Sequence, residues 1–188
     1  MRVIAGTHKG RRLLGPKDGR TIRPTSGRVK EALFSILGDR IVGASVLDLY
    51  AGTGSIGIEA LSRGAARVVF VESHRDSLIS LHANLEHCGL TGRADVFHGE
   101  AAVFLRQAAP AFDVVFLDPP YAIDGAGSVL PSLSGSAMIR DGTIVILEHL
   151  SKRQTPPHIG PLNRIKQYRY GDTSLSLFRF GAEERRAS

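Results

Sequence analysis

The chain has 188 residues, 43% of them hydrophobic, which is enough for one good core and sets the expectation of one domain, with room for an appendage. No run approaches the roughly 18 apolar residues of a membrane span, and the opening Met1-Arg-Val-Ile-Ala-Gly6 lacks the apolar stretch of a signal peptide, so a cytoplasmic protein without membrane contact is expected. The net charge of +6 hides a division: residues 1–40 carry ten Lys/Arg against three acids, residues 41–150 six against twelve, and residues 151–188 eight against three.

Residues 1–20 alternate short apolar pieces with charges and glycines, which predicts a small β-hairpin or an arm. Val29, Ala32, Leu33, Ile36 and Leu37 fall on one helical face, with Thr25 or Ser26 able to cap the start and Gly38 the end. From there strands and helices alternate. Strands are expected at 45–50, 67–71, 94–98, 112–117 and 142–147, with helices over 56–63, 76–87 and 101–107 between them. Near-continuous apolar strands alternating with helices predict a parallel sheet covered on both faces. The last two strands, 164–170 and 174–180, are joined by Gly171-Asp-Thr173, which is too short for anything but an antiparallel hairpin. The expected fold is therefore α/β and Rossmann-like. It has a mostly parallel seven-strand sheet and an antiparallel C-terminal hairpin. Residues 1–40 form a basic hairpin-and-helix extension, and 41–188 form the core.

The lone cysteine, Cys88, excludes an internal disulfide and reads as a packed thiol. The seven histidines are scattered without metal-ligand spacing, so no metal is expected.

Strand one runs into Asp48-Leu-Tyr-Ala-Gly52-Thr-Gly54-Ser-Ile-Gly57, and Glu72 ends the next strand 20 residues after Gly52. Glycines between a strand and a helix let the backbone approach a nucleotide, and an acid at that spacing can accept both ribose hydroxyl protons. A pyrophosphate cofactor would be repelled by Asp48, whereas the cationic methionine end of S-adenosylmethionine would suit it. The bland alternative is that the glycines permit a turn and Asp48 caps the helix.

Strand four ends in Asp118-Pro119-Pro120-Tyr121. In an open α/β sheet ligands sit at the carboxyl ends of the strands. If the sheet reverses between strands one and four, this loop faces the glycine loop. Asp118 can accept a hydrogen bond from an amino group. The prolines fix φ and remove donors, leaving a peptide carbonyl rigidly aimed. Tyr121 offers a plane for stacking a base. An exocyclic base amine is a poor nucleophile because its lone pair is delocalised, and two acceptors on its hydrogens favour the pyramidal form that attacks a methyl group. Alone, the same four residues could be only a strand-ending turn.

Together these stretches resemble the class I methyltransferases that act on amino nitrogens of bases. Arg23-Pro-Thr-Ser-Gly-Arg28-Val-Lys-Glu31-Ala-Leu-Phe34, Glu59-Ala-Leu-Ser-Arg-Gly64-Ala and Tyr170-Gly-Asp-Thr173 narrow the resemblance. They resemble the bacterial 16S rRNA guanine-N2-methyltransferase family, also called 16S rRNA (guanine(966)-N(2))-methyltransferase. That resemblance runs from Arg2 to about Phe180 and implies transfer of a methyl group from S-adenosylmethionine to a guanine N2 amine. The implied partner is 16S rRNA or a small-subunit assembly particle. It implies cofactor contacts at Asp48, Tyr50, Ala51, Gly52, Gly54, Glu72, Ser73, Glu100 and Ala101, and chemistry at Asp118, Pro119, Pro120 and Tyr121. Where the family often has Asp in Gly-Asp-Ala to meet the adenine amine, this chain has Glu100, one methylene longer, and Phe97 or the Ala101 backbone could serve instead.

Lys9, Arg11, Arg12, Lys17, Arg20, Arg23 and Arg28 are the expected nucleic-acid contacts, because Lys and Arg release counterions from phosphates. A solvated basic face is the plain alternative. Three other readings remain open at this point. An NAD-binding oxidoreductase would explain the glycines but not Asp48 or the tetrapeptide. An amino-nitrogen DNA methylase would share the tetrapeptide but would have little room for a target-recognition domain. A non-catalytic RNA-binding assembly factor would leave Asp118 and Tyr121 unused.

Overall fold

The computed structural model describes residues 1–15, 26–120 and 125–181, with the backbone alone at 125–128. It divides into two compact units, Met1–Phe104 and Leu105–Ser188.

The first unit opens with an arm rather than a ladder. Its antiparallel pairing is a single bridge between Arg2 and Arg12, closed by Val3 N–H to Arg11 O at 2.9 Å and Leu13 N–H to Met1 O at 3.0 Å. Helix α1, Gly27–Leu37, begins where the Ser26 hydroxyl accepts from Val29 N–H at 3.2 Å. It ends at Gly38, which has φ 53°. Its buried face is Val29, Lys30, Leu33, Phe34 and Leu37, while the expected Ala32 and Ile36 are half-buried. Strand β1 (Ser45–Leu49) pairs in parallel with β2 (Arg67–Glu72), and β2 with β3 (Ala94–His98). Helix α2 (Ser55–Ser62) follows β1, α3 (Arg75–Cys88) follows β2, and the short α4 (Ala101–Phe104) follows β3. Every α2 residue from Ile56 to Ser62 is buried, Glu59 and Ser62 included.

Those two polar residues bind the arm. Glu59 accepts from Ile4 N–H at 2.8 Å and Ala5 N–H at 2.9 Å. Ser62 O accepts from Thr7 N–H, and Ser62 Oγ accepts from His8 N–H at 3.0 Å and donates to Ala5 O at 2.6 Å. Further along, Asn84 on α3 bonds both the N–H and the C=O of Leu14, and Ser80 donates to Gly15 O. The backbone N–H groups of Ile4, Ala5, His8 and Leu14, which the short local pairing leaves over, thus find helix side chains.

In the second unit β4 (Val114–Leu117) runs parallel to β5 (Ile144–Leu150). Strand β8 (Thr173–Phe180) lies antiparallel between β5 and β7 (Leu162–Tyr170). A two-residue strand, β6 (His158–Ile159), pairs with the start of β7 and brings the strands among the described residues to eight, one beyond the expected seven. Helix α5 (Gly125–Ser134) had no counterpart in the periodicity. Its glycines and Pro131 hide it, and packing of Val129, Leu130 and Leu133, all nearly inaccessible, overrides the poor propensity. Strand β8 is buried on both faces from Thr173 to Phe178. Its buried serines are satisfied by Ser151 on Ser174 and by His149 and Thr155 on Ser176.

Candidate functional site

The glycine loop follows β1 directly, and its three glycines do three different things. A side chain at Gly57 would run into the Phe70 ring at 2.2 Å, so this glycine lets α2 lie against β2. Gly54, at φ 82°, is closed over by Leu81. Only Gly52, at φ 56°, faces open space, with nothing within 4 Å of a Cβ built there. Next to it Tyr50 holds φ 68°, the one left-handed non-glycine among the described residues. Such a conformation is strained and persists where the surroundings enforce it.

Two carboxylates organise this loop. Glu72 Oε2 accepts from Gly52 N–H and Oε1 from His74 N–H, both at 2.7 Å. The acid at the tip of β2 therefore fixes both the glycine loop and the turn into α3, and it is buried. Asp48 is 1% exposed, and its Oδ2 accepts from Gly57 N–H at 2.9 Å. Gly54, the residue that precedes α2, has no side chain to cap it, and Asp48 does so from the strand. Burial pushes the Asp48 carboxyl up to about 7; the Gly57 hydrogen bond pulls it down and the Glu72 charge raises it further. The capping role of Asp48 is thus real.

Around this loop, Ala51 and Ala101 are buried, Tyr50 and Ser73 half-buried, and Glu100 exposed. Burial, and then the charge of Glu100, raise the Tyr50 phenol above its ordinary value. Gly99 N–H donates to Glu72 O at 2.9 Å, tying the Gly99-Glu-Ala101 turn to the same strand tip. Phe97 tilts against Phe104 with ring centres 5.1 Å apart.

In the second unit Asp118 follows β4 and is half-buried, Pro119 is buried and Pro120 exposed. Tyr121 lies outside the described residues, as do Lys17, Arg20, Arg23 and Thr25. Lys9, Arg11, Arg12 and Arg28 are exposed. Arg11 NH1 donates to His87 O near the end of α3, so it is partly structural. Arg2, not among the expected contacts, is exposed beside Arg12 across the bridge. The other oversight was the buried polar set of Lys30, Glu59, Ser62, Ser80 and Asn84; its only signal was polar side chains on apolar helix faces.

Among the described residues no helix is long and apolar enough to cross a membrane, and no group of three or more His, Cys, Asp or Glu could hold a metal.

Parallel strands followed by helices, a glycine loop after the first strand, and an antiparallel strand set against β5 define a class I methyltransferase fold. Comparison with solved structures agrees: an Escherichia coli protein named as a candidate methyltransferase superposes with TM-score 0.87 and 31% identity, covering 97% of this chain and 99% of that one. The family profile described as conserved hypothetical protein 95 matches residues 1–179, and the chain belongs to that family. The ribosomal RNA small subunit methyltransferase D of Haemophilus influenzae is 34% identical over 183 residues, 95% of this chain and 93% of its own. A candidate rRNA methyltransferase of Bacillus subtilis is 34% identical over 182 residues, 95% of this chain and 98% of its own. The protein is a methyltransferase.

Proposed function

We propose that this protein transfers a methyl group from S-adenosylmethionine to the exocyclic N2 amine of a guanine in 16S rRNA, as free RNA or within a small-subunit assembly particle, in the cytoplasm. The observation that carries the reading is the Gly52–Glu72 pair: an open glycine whose N–H is held by a buried acid. The space above Gly52 leaves room for a ligand's approach, and the acids beside it suit a cationic donor. The small-subunit rRNA methyltransferase named above, similar along nearly its whole length, supports the RNA target.

The residues that would hold the cofactor are Asp48, Tyr50, Ala51, Gly52, Gly54, Glu72, Ser73, Glu100 and Ala101. When bound, S-adenosylmethionine supplies an electrophilic methyl group. Glu72 has one lone pair per oxygen beyond its two backbone bonds and can accept from ribose hydroxyls. Ionised Asp48 favours the positive methionine end. Asp118 and the peptide carbonyl of the proline turn accept the two hydrogens of the base amine, which turns its lone pair outward. Tyr121 stacks the base. The gain is chiefly positional, worth several kcal/mol. Residues 1–40 form the extension that holds RNA, with Lys9, Arg11, Arg12, Lys17, Arg20, Arg23 and Arg28 on phosphates.

The test is incubation with methyl-labelled S-adenosylmethionine and under-methylated small-subunit particles or their naked 16S rRNA, then mapping of the modified base. Label on a guanine N2 is the expected result. Label elsewhere, or none with either substrate, would refute the assignment.

A further inference from the structure

Residues 151–171 contain five Lys/Arg and no Asp or Glu. They make up the loop after β5, β6, and the edge strand β7. Strand β6 pairs only with Leu162 and Asn163 of β7. From Ile165 to Tyr170 the outer edge of β7 has no strand partner among the described residues. Lys152, Lys166 and Arg169 are exposed there. Lys166, Tyr168 and Tyr170 stand opposite Leu177, Leu175 and Thr173 and so share one face of the strand. Both tyrosines are half-buried. The Lys166 ammonium sits 5.0 Å above the centre of the Tyr168 ring, so that ring presents a face to a cation. The loop that carries Lys152 is fixed. Arg164 NH1 donates to Thr155 Oγ1 at 2.7 Å, and Ser151 Oγ donates to Gly171 O at 2.9 Å.

Charges on a free strand edge deter pairing with another chain, which accounts for some of this. That purpose covers the charges on β7 itself, but not Lys152 in the loop after β5. Nor does it account for two aromatic rings at period-two spacing on the same face.

Resting on the proposed rRNA methyltransferase reading, we infer that the β7 edge is a further RNA-contact surface, in addition to the N-terminal arm. Lys152, Lys166 and Arg169 meet phosphates, and Tyr168 and Tyr170 stack unpaired bases. The two rings stand about 6.8 Å apart along the strand, twice the roughly 3.4 Å rise of stacked bases, so they suit bases drawn apart in a single-stranded segment. The occupant is RNA, because the edge offers cations and aromatic planes together, with a single exposed acid, Asp172, in the turn beyond it.

The experiment measures binding of the full chain to a 16S rRNA transcript across a salt series, alongside S-adenosylhomocysteine affinity and methyl transfer. Lys152→Ala/Lys166→Ala/Arg169→Ala should lower the log–log salt slope by about 2, at about 0.7 per phosphate contact. Tyr168→Ala/Tyr170→Ala should weaken RNA binding about five-fold or more with the slope unchanged, since stacking releases no counterions. Tyr168→Phe/Tyr170→Phe should restore it. Cofactor affinity should be the same throughout. If the tyrosine-to-alanine variant melts early, the cation variant decides. A wild-type chain that binds and methylates RNA, with both variants unaltered, overturns this surface alone. A wild-type chain that neither binds nor methylates RNA overturns the rRNA reading with it. Loss of affinity for an assembled particle but not for the transcript would assign the face to a protein and overturn the inference.

Discussion

Lys30 and Glu59 form an ion pair of 3.1 Å with side chains 3% and 0% exposed. The same ammonium donates to Arg2 O at 2.8 Å and to Ser55 Oγ at 3.3 Å, so it joins the arm, α1 and the first residue of α2. Glu59 also takes Arg63 Nε at 2.9 Å, which completes four partners on two oxygens. Burial by itself would raise the Glu59 carboxyl, but the Ile4 N–H, Lys30 and Arg63 outweigh it and hold it below its ordinary value. A lowered acid contributes stability above its ordinary pKa of 4.5 and loses it as pH falls through the folded value. Lys30→Met should cost about 3–5 kcal/mol, the typical loss when one member of a buried pair is removed. Chemical denaturation measures it, and an unmoved midpoint would show that the arm is docked without this pair.

Asp48 shows the opposite sign. Its folded value of about 7 lies above the ordinary 3.8, so the folded chain keeps a proton that the unfolded chain releases between those values. Stability from this group therefore falls as pH rises through that window, by about 4 kcal/mol at most. Asp48→Asn keeps an acceptor for Gly57 N–H and removes the titration. Above pH 7 the variant should gain stability over wild type while binding S-adenosylmethionine more weakly. Cofactor affinity in the wild type should rise with pH up to about 7. The same pH dependence in both chains would remove Asp48 from the cofactor site.

Glu72→Ala should lose cofactor affinity and also stability. The structure makes Glu72 the acceptor for Gly52 and His74 N–H groups. Each buried donor left unpaired costs about 1–3 kcal/mol. Glu72→Gln retains one acceptor and separates the effects. Calorimetry should show weaker S-adenosylhomocysteine binding in that folded variant, and undiminished affinity would end the ribose assignment.

Asp118→Ala should slow methyl transfer by far more than it weakens cofactor binding, because its hydrogen bond matters most as the amine becomes pyramidal. Tyr121→Ala should cost about 1–3 kcal/mol of base binding, and Tyr121→Phe should be tolerated. Steady-state kinetics with labelled donor tests both. Turnover unaffected by Asp118→Ala would take that residue out of the mechanism.

Lys9→Ala/Arg12→Ala should weaken RNA binding and lower the log–log salt slope by about 0.7–0.9 for each lost phosphate contact. Arg11 is left in place because its contact with His87 O would confound the result with stability. An unaltered slope in this folded variant would free the arm from its assigned role.

Much of the architecture was legible because period and punctuation are local. The apolar runs of β1 to β5, Gly171-Asp-Thr173 between β7 and β8, and the Ser26 and Gly38 boundaries of α1 needed no tertiary information. The glycine loop and Glu72 were legible as a short pattern beside strands for the same reason, while the ligand roles given to them and to Asp118-Pro-Pro-Tyr121 remain part of the proposal. What the sequence could not disclose depends on neighbours distant along the chain. That Gly52 is open while Gly54 and Gly57 are filled depends on Leu81 and Phe70. That Asp48 caps α2 depends on a strand and a helix meeting end to end. Helix α5 exists because Val129, Leu130 and Leu133 are buried, against the preference of its own glycines and proline. The arm lies along α2 and α3 because the backbone groups that its short local pairing leaves over must find partners, and Glu59, Ser62 and Asn84 are the ones that reach them.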